Sequence, residues 1–301
     1  MMQSSVKLRR NPLPEDIKLT TTAALVLEGG GMRGLYTCGV LDAFLEARIV
    51  FSRVIGVSAG ACNACSYLAL QAGRGAKVII DHIDKDYYCG HKMLMKTGNF
   101  FSEEFIYHRI PEELYPINNS AYKQIGATLY ACVTNLETGK AELLPVRDMI
   151  RDVDKVRASA SLPLLSRPVE IDGKKYLDGG VADSLPLAKS ERMGNRNNVV
   201  VLTQPRDFTK KKSSVYPLVK AHYHGYKEFG NAMKNRHVVY NNELLYLSDK
   251  EKKGTCFVIA PETSLEIDRL ERDPEKLTEI YERGFHDAMA KMPQLKAFLG
   301  R

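Results

Sequence analysis

Residues 54–60 read Val-Ile-Gly-Val-Ser-Ala-Gly, and this stretch decides the fold. Residues 54–57 form a short apolar run of the kind that makes a strand buried on both faces. The run leads into a G-x-S-x-G sequence, and a helical pattern follows it. A serine on a tight turn between strand and helix is the arrangement of a nucleophile elbow, where Gly56 and Gly60 leave room for the turn. The Ser58 hydroxyl would then stand above the end of the sheet, beside free N–H groups of a helix.

A glycine-rich turn lies upstream of this elbow. Residues 23–27 read Ala-Ala-Leu-Val-Leu, a second buried strand, and lead to Gly-Gly-Gly-Met-Arg-Gly at residues 29–34. As G-x-G-x-x-G, the loop fits a Rossmann-type nucleotide site, which needs an acidic residue at the end of the next strand. As an oxyanion loop, it offers backbone N–H groups that converge on a developing negative charge. The next strand ends in Ser58, which favours acyl transfer and leaves nucleotide binding as the alternative.

A carboxylate at a sharp turn forms the third segment. Asp178 follows an apolar residue at the end of a predicted strand and precedes two glycines. The same pattern also fits an ordinary turn aspartate. A Ser–Asp–His esterase in the chain order of α/β hydrolases is a further alternative. The histidines that follow Asp178 lie in no recognisable motif; they are His222, His224, His237 and His286.

Together the three segments resemble the patatin-like phospholipase family, which carries D-G-G-G-x-R-G, G-x-S-x-G and D-G-G or D-G-A in this chain order. The resemblance covers roughly residues 23–205. It implies that Ser58 is the nucleophile and that Asp178 is its only catalytic partner. It places the oxyanion hole at Gly29, Gly30, Gly31 and Arg33, supported by Gly34, Gly56, Gly60, Gly179 and Gly180. Glu28 stands where the family often has aspartate, and we expect little consequence because it is neither nucleophile nor base.

The resemblance implies a serine lipid acyl hydrolase, of the phospholipase A or esterase type, that forms an acyl-enzyme on Ser58. Its substrate would be a lipid or another acyl ester. We expect no cofactor and no metal, because backbone donors stabilise the oxyanion. A free aspartate has a pKa of about 3.9 and is a weak base, so Asp178 would need desolvation beside an apolar acyl pocket to raise that pKa. A non-catalytic binding module on the same fold is a third class.

The alternation of strands and helices with short turns predicts an α/β fold. We expect a central, mostly parallel sheet flanked by helices in three α/β/α layers, patatin-like and related to α/β hydrolases. We predict an N-terminal arm, a catalytic domain, and a basic, mainly helical extension packed on the same domain, over residues 1–22, 23–205 and 206–301. Further strands are predicted at 127–133, 141–144, 169–177 (a hairpin), 198–203 and 256–260. Further helices are predicted at 75–87, 102–114 and 147–159 and from residue 274, and a candidate lid at 88–124.

Composition limits the cellular location that can be predicted for the protein and the state of its cysteines. No apolar segment follows the basic N-terminus, and the uncharged stretch between Arg53 and Arg74 is too rich in small residues for a membrane span. We therefore predict a cytoplasmic protein, with six reduced cysteines. We interpret the CxxC pair, Cys62 and Cys65, as two small core residues on one helix face.

Positive charge is concentrated in one segment. The chain carries a net charge of +7. Residues 206–240 hold eight Lys or Arg against two acidic residues, a local net of +6. One hypothesis is peripheral contact with an anionic membrane surface, and the other is a solvated helix face. No nucleic-acid partner is expected, because no nucleic-acid motif accompanies the charge.

Overall fold

A computed structural model describes residues 11–301, so the first ten residues of the predicted arm lie outside the described range. Within this range the strands are β1 (Leu19–Thr20), β2 (Ala24–Leu27), β3 (Val50–Phe51), β4 (Arg53–Val57), β5 (Thr128–Asn135), β6 (Ala141–Val146), β7 (Val169–Ile171), β8 (Lys174–Asp178), β9 (Asn198–Val201) and β10 (Cys256–Ile259). The α-helices are α1 (Gly34–Glu46), α2 (Ala59–Leu68), α3 (Arg74–Ile80), α4 (His91–Thr97), α5 (Asn119–Ile125), α6 (Val153–Ser159), α7 (Leu187–Arg192), α8 (Tyr216–His222), α9 (Lys227–Lys252), α10 (Pro274–Ala290) and α11 (Met292–Leu299).

The main sheet is mostly parallel, as predicted. Its parallel part has the order β10-β9-β2-β4-β5, and β6, β7 and β8 join it in antiparallel fashion. All four residues of β2 and all four of β9 are buried. Strands of this kind need cover on both faces, which is why they read as continuous apolar runs in the sequence.

Strand β5 brings two distant segments side by side. Cys132 pairs with Val57 of β4 on one edge and with β6 on the other. Thr134 also pairs with β6 on the second edge. On the first edge, where Cys132 pairs with β4, the partner of Thr134 is β8. Strands β4 and β8 therefore share one edge of β5, where the pair of Val57 and Cys132 is followed by the pair of Asp178 and Val133. The residue after β4 and the last residue of β8 meet at this junction.

Alternate residues of the strands face two helical layers. Leu25 and Leu27 of β2 belong to a core with α1, α2, α10 and α11. Val26 between them belongs to a second core with residues of α7 and α9. The three-layer α/β/α architecture is thus confirmed, and the side-chain alternation of a strand explains it.

The part of the chain after residue 205 contributes to all three layers. Strand β10 pairs along the whole of β9, and α10 packs across α1. The crossing is close, because a Cβ added at Gly39 would lie 2.1 Å from the Tyr281 carbonyl oxygen and one at Gly284 would lie 2.0 Å from that of Tyr36. At the other end, β1 lies within the predicted arm and pairs in parallel with β3 outside it. The domain boundaries themselves remain predictions.

Three predicted helices differ from those observed. The helix expected at 75–87 spans only Arg74–Ile80, and turns follow it. The helix expected at 147–159 begins only at Val153, because the Asp152 carboxylate accepts the N–H groups of Arg147 and Asp148 and holds a turn there. The helix expected at 102–114 is a π-helix, Phe105–Leu114, that contains Pro111. Proline has no N–H to donate within a regular α-helix, and wider turns accommodate the loss.

Glu28 has a structural role that the sequence did not suggest. It is 3% exposed, and its carboxylate accepts hydrogen bonds from the Thr203 N–H at 2.6 Å, the Thr203 hydroxyl at 3.1 Å and the Tyr240 hydroxyl at 2.6 Å. The carboxylate thereby joins the end of β2 to the segment after β9 and to α9. A buried carboxylate needs such donors to offset the loss of water.

We expect Tyr240→Phe to lower the free energy of unfolding by about 1–3 kcal/mol, because it removes a donor from a buried carboxylate. Tyr246→Phe is the matched control, since Tyr246 lies on the same helix and its hydroxyl bonds the Glu191 carboxylate at an exposed position. We expect the control to change the free energy by less than about 1 kcal/mol. Urea unfolding of both variants measures the difference, and equal losses would contradict the role of Glu28.

Candidate active site

Ser58 occupies a strained turn between β4 and α2. Its φ of 54° and ψ of −123° are rare for a residue with a side chain. The turn is tight, because a Cβ added at Gly56 would lie 2.5 Å from Ala61 Cα and one at Gly60 would lie 2.7 Å from the Leu27 carbonyl oxygen. The structure thus has a tight strand-to-helix turn where the sequence predicts one, and the close approaches explain why both flanking positions are glycine.

A second serine, Ser159, stabilises this turn through hydrogen bonds. The Ser58 N–H donates to Ser159 Oγ at 2.9 Å, and the Ser159 hydroxyl donates to the Cys132 carbonyl oxygen at 2.6 Å. Ser159 is fully buried at the end of α6. It thus ties the elbow to β5, the strand that also holds Asp178 in place. No motif in the sequence marks Ser159.

Asp178 lies at the junction described above, at the end of β8. Its Oδ1 accepts the Gly180 N–H at 2.7 Å, while its Oδ2 is buried and has no hydrogen-bond partner among residues 11–301. Burial raises the pKa of this carboxyl group above its ordinary value, and the nearby Ser58 hydroxyl and the Arg236 guanidinium act in the opposite direction. Asp178 is therefore next to Ser58 with one oxygen free to accept a proton.

The glycine loop lies against the same serine. A Cβ added at Gly29 would lie 2.9 Å from Ser58 Cβ, and one at Gly30 would lie 2.6 Å from Thr203 Oγ1. Gly31 has a φ of 58°, and a Cβ there would lie 2.4 Å from the Arg269 carbonyl oxygen. Within the described part of the chain, no acceptor takes the N–H groups of Gly29 and Gly30. The loop thus offers unused backbone donors beside the hydroxyl.

An apolar cavity of about 180 Å³ opens from Ser58. We call it the acyl cavity. One wall is α2, which contributes Cys62 and Cys65. The CxxC pair therefore lines a cavity on one helix face, and burial raises the pKa of both thiols to about 12, which keeps them neutral. The candidate lid at 88–124 provides much of the opposite wall through Tyr88, Phe101, Ile106, Tyr107, Ile110, Pro111 and Ile117.

A smaller cavity of about 30 Å³ also reaches Ser58. We call it the polar cavity. Asp178, Gly180 and the glycine loop line it together with the basic side chains of Arg33, Lys210, Arg236 and Arg269. Arg236 also donates from Nε to the Gly180 carbonyl oxygen and so contacts the turn that follows Asp178. The sequence marked Arg236 and Lys210 only as members of a basic segment, since neither lies in a motif.

None of the seven histidines lines either cavity, and all seven lie within residues 11–301. His222 and His224 are exposed on and after α8, and His286 is exposed on α10, where it faces Glu282. His237 follows Arg236 on α9, but it makes no hydrogen bond to Asp178 or Ser58, and its Nδ1 is buried without a partner among residues 11–301. The described residues thus bring together Ser58, Asp178 and the glycine loop, with no imidazole among them.

Comparison with known proteins assigns the chain to a family. The family model for patatin-like phospholipase matches residues 25–189, which contain the glycine loop, Ser58 and Asp178. The chain belongs to the patatin-like phospholipase family. A second family model, a domain of unknown function, matches residues 226–300. The family explains why the three sequence segments occur in one chain and in this order.

Individual relatives are distant. The chain is 31% identical to the uncharacterized protein YjjU of Escherichia coli K12 over 60% of its own length and 52% of YjjU, so it spans about half of that relative. It is 23% identical to the probable lipid hydrolase 463L of invertebrate iridescent virus 6 over 73% of its own length and 80% of the viral protein. The crystal structure of VipD from Legionella pneumophila is 14% identical, with a TM-score of 0.46, over 98% of this chain and 72% of VipD.

We expect Asp178→Asn to raise the thermal midpoint at neutral pH. The fold raises the pKa of this carboxyl group, so ionised Asp178 destabilises the native state, and a neutral isostere removes that cost. The cost is absent below the unfolded-state pKa of about 3.9 and grows as the pH rises through the folded-state value. Thermal unfolding between pH 4 and pH 8 should show the advantage of the variant increasing with pH. Asp249→Asn on α9, where the side chain is 48% exposed, is the control, and a similar gain there would argue against the mechanism.

Proposed function

We propose that this chain is a serine lipid acyl hydrolase that cleaves fatty acyl esters, with Ser58 as nucleophile and Asp178 as general base. One observation carries the proposal: a serine on a strained elbow lies beside a buried carboxylate whose Oδ2 has no partner within residues 11–301. Burial raises the pKa of that carboxyl group, which makes it a stronger base than a free aspartate.

The reaction is a two-step acyl transfer. As Ser58 Oγ attacks the ester carbonyl carbon, Asp178 takes the hydroxyl proton, and the N–H groups of Gly29 and Gly30 stabilise the oxyanion. The tetrahedral intermediate then collapses, the bond to the alcohol oxygen breaks, and Asp178 returns the proton to the leaving alcohol. In the second step Asp178 deprotonates water, which attacks the acyl-enzyme. Collapse releases the fatty acid, and Ser58 Oγ regains a proton from Asp178.

The two cavities would bind the two parts of an ester substrate, its acyl chain and its alcohol. The acyl cavity is lined mainly by apolar side chains and is the larger, so it suits a hydrocarbon chain. The polar cavity lies beside Asp178, where the proton must be delivered to the leaving alcohol. Ser58 lines both, which is the position required of the atom that attacks the bond between the two parts.

The alternatives have less support. The nucleotide hypothesis requires an acidic residue at the end of the second strand, and Ser58 occupies that end. The triad hypothesis requires a histidine beside Ser58, and the histidines of the described chain line neither cavity. A binding module without catalysis would have no use for an elbow strained at its serine.

The test combines active-site labelling with kinetics. A fluorophosphonate should label Ser58 of the wild-type protein, with Ser58→Ala unlabelled and Asp178→Asn labelled far more slowly. Hydrolysis of a short-chain fatty acyl ester should fall by about 10³-fold or more in both variants, because the two residues act as one unit. Activity should rise with pH through the raised pKa of Asp178, because the base works only when ionised.

His237→Ala is the control for this experiment, because His237 follows Arg236 on α9 and lines neither cavity. We expect its activity to match the wild type. Loss of activity in a folded His237→Ala protein would support a triad, and a folded wild-type protein that resists labelling would overturn the proposal.

We also propose peripheral contact with an anionic membrane through residues 206–240. Five lysines of this segment are exposed: Lys211, Lys212, Lys220, Lys227 and Lys234. Leu218 among them is 63% exposed, which gives the surface an apolar side chain. No helix within residues 11–301 is both long and apolar enough to cross a bilayer.

Flotation with lipid vesicles tests this contact. We expect binding to phosphatidylglycerol vesicles and little binding to phosphatidylcholine, because the attraction is electrostatic. The double variant Lys211→Glu, Lys212→Glu should lose about tenfold or more in binding, at about 1 kcal/mol for each charge removed. Lys296→Glu on α11 is a control for charge reversal at an exposed site. Equal flotation with both lipids would remove the proposal.

A further inference from the structure

Arg236 places a guanidinium group against the turn that follows Asp178. It lies on α9, beyond the residues 25–189 that match the patatin-like phospholipase model. Its Nε donates to the Gly180 carbonyl oxygen, which also accepts the Ser184 hydroxyl at 3.0 Å. The Gly180 N–H in turn donates to Asp178 Oδ1 at 2.7 Å. One glycine thus connects the guanidinium with the proposed catalytic base.

The guanidinium and the carboxylate lie close to the same bare stretch of backbone. A Cβ added at Gly180 would lie 3.0 Å from Asp178 Oδ1 and 3.4 Å from Arg236 Nη2. Among residues 11–301, no carboxylate oxygen comes within 4 Å of the Arg236 nitrogens, so the positive charge acts on Asp178 from beyond the range of an ion pair. A direct ion pair would occupy the carboxylate, whereas this arrangement leaves Asp178 Oδ2 without a partner in the same range.

Two contacts of α9 hold Arg236 in this position. Met233, one turn before it, packs in an apolar cluster with Val181, which follows the turn after Asp178. Tyr240, one turn after it, donates its hydroxyl to Glu28 at 2.6 Å. Residues three or four apart share one face of a helix, so Met233, Arg236 and Tyr240 face the site together. Packing on both sides therefore fixes the guanidinium.

Arg236 keeps its charge at neutral pH. Burial, and then repulsion from Arg269, lower its pKa to about 10, and attraction to Asp178 and Glu28 acts in the opposite direction. The attraction between Arg236 and Asp178 is mutual. The guanidinium therefore favours the ionised form of Asp178, against the burial that raises the pKa of that carboxyl group.

Other titratable groups surround Asp178. Those that act on it or share its cavity are Glu28, Arg33, Cys62, Cys132, Lys210 and Arg269. Burial raises the pKa of both thiols, which stay neutral. Asp183, which follows the turn, is bonded to Lys189 and to Glu243 of α9. Burial lowers the pKa of Lys210 to about 7, so an experiment on Asp178 must separate the two titrations.

We propose that Arg236 is a positioning residue for the acyl transfer: it fixes the turn after Asp178 and provides the positive charge that favours a carboxylate ready to accept the Ser58 proton. This inference rests on the proposed function and adds a residue from outside the patatin-like match. A carboxyl group buried beside an apolar cavity favours its protonated form, which cannot act as a base. A guanidinium beyond the range of an ion pair offsets part of that effect without occupying Oδ2.

The first experiment records the rate of fluorophosphonate labelling of Ser58 between pH 5 and pH 9. In Arg236→Gln we expect the midpoint of the profile to rise by about one pH unit, with labelling about tenfold slower at the acidic end and near the wild-type rate at the alkaline end. Arg236→Lys keeps a charge but loses the planar fork, so its midpoint should stay near that of the wild type, with a rate a few-fold lower throughout. Arg236→Met keeps the apolar stem and replaces Arg236→Gln if that variant does not fold.

Three further variants control this experiment. Lys252→Gln removes one positive charge at an exposed position at the end of α9, and its profile should equal that of the wild type. Arg269→Gln should raise the midpoint by less than Arg236→Gln, because Arg269 acts less strongly on Asp178. The shift caused by Arg236→Gln should persist in a Lys210→Gln background. A midpoint that Arg236→Gln leaves unchanged, or that Arg236→Lys raises as far, would overturn the inference.

The second experiment detects the same charge without catalysis. Thermal unfolding of the wild type, Asp178→Asn, Arg236→Gln and the double variant forms a cycle. Ionised Asp178 loses a favourable interaction in Arg236→Gln, so Asp178→Asn should raise the thermal midpoint more in that background than in the wild type. The extra gain should be absent at pH 4, where the carboxyl group is protonated, and should grow toward pH 8.

The two experiments together separate the inference from the proposed function. Equal gains from Asp178→Asn in both backgrounds at pH 8, with normal labelling of Ser58, would overturn the inference and leave the proposed function intact. A folded wild-type protein that resists labelling but shows the extra gain would support the link between Arg236 and Asp178 and contradict the proposed function.

Discussion

The shared edge of β5 is the constraint on which the site depends. Strands β4 and β8 lie end to end along it, so the residue after Val57 and the residue paired with Val133 become neighbours. A slip of one residue in the pairing of β8 would turn Asp178 to the opposite face of the sheet. Ser159, bonded both to the Ser58 N–H and to the β5 backbone, fixes the elbow relative to the same strand. The position of the carboxylate relative to the hydroxyl is thus a property of the sheet and its register.

Local features of the chain were predictable and long-range contacts were not. The buried strands and the glycine turns follow from short stretches whose pattern has one stable solution, so the parallel sheet and the elbow could be inferred. The proximity of Asp178 to Ser58 came only from resemblance to a family, because no local pattern links β4 with β8. Ser159 and Arg236 are single residues on helices, and nothing in their neighbourhood in the sequence marks them. The charge count marks residues 206–240 only as a basic segment, whereas Arg236 of that segment lines the polar cavity beside Asp178.

The site concentrates features that destabilise a protein. Ser58 has a strained backbone, Asp178 is a carboxylate without full hydrogen bonding, and cationic side chains crowd together nearby. Such features persist where surrounding structure is stable enough to hold them. The hydrogen bonds to Glu28, the close crossing of α1 and α10 and the fully buried strands provide that framework. The features that destabilise the site are thus held by contacts in the surrounding structure, as expected where function competes with stability.

The residues that line the polar cavity come from two different stretches of the chain. The glycine loop, Ser58 and Asp178 all fall within residues 25–189, whereas Lys210, Arg236 and Arg269 lie beyond that match. The proposed catalytic residues and three of the basic side chains beside them therefore come from different stretches of the chain. Two relatives that share the first stretch can differ in the second, and so in the charge of this cavity. Similarity through the motifs then transfers the type of reaction between relatives more safely than it transfers the substrate.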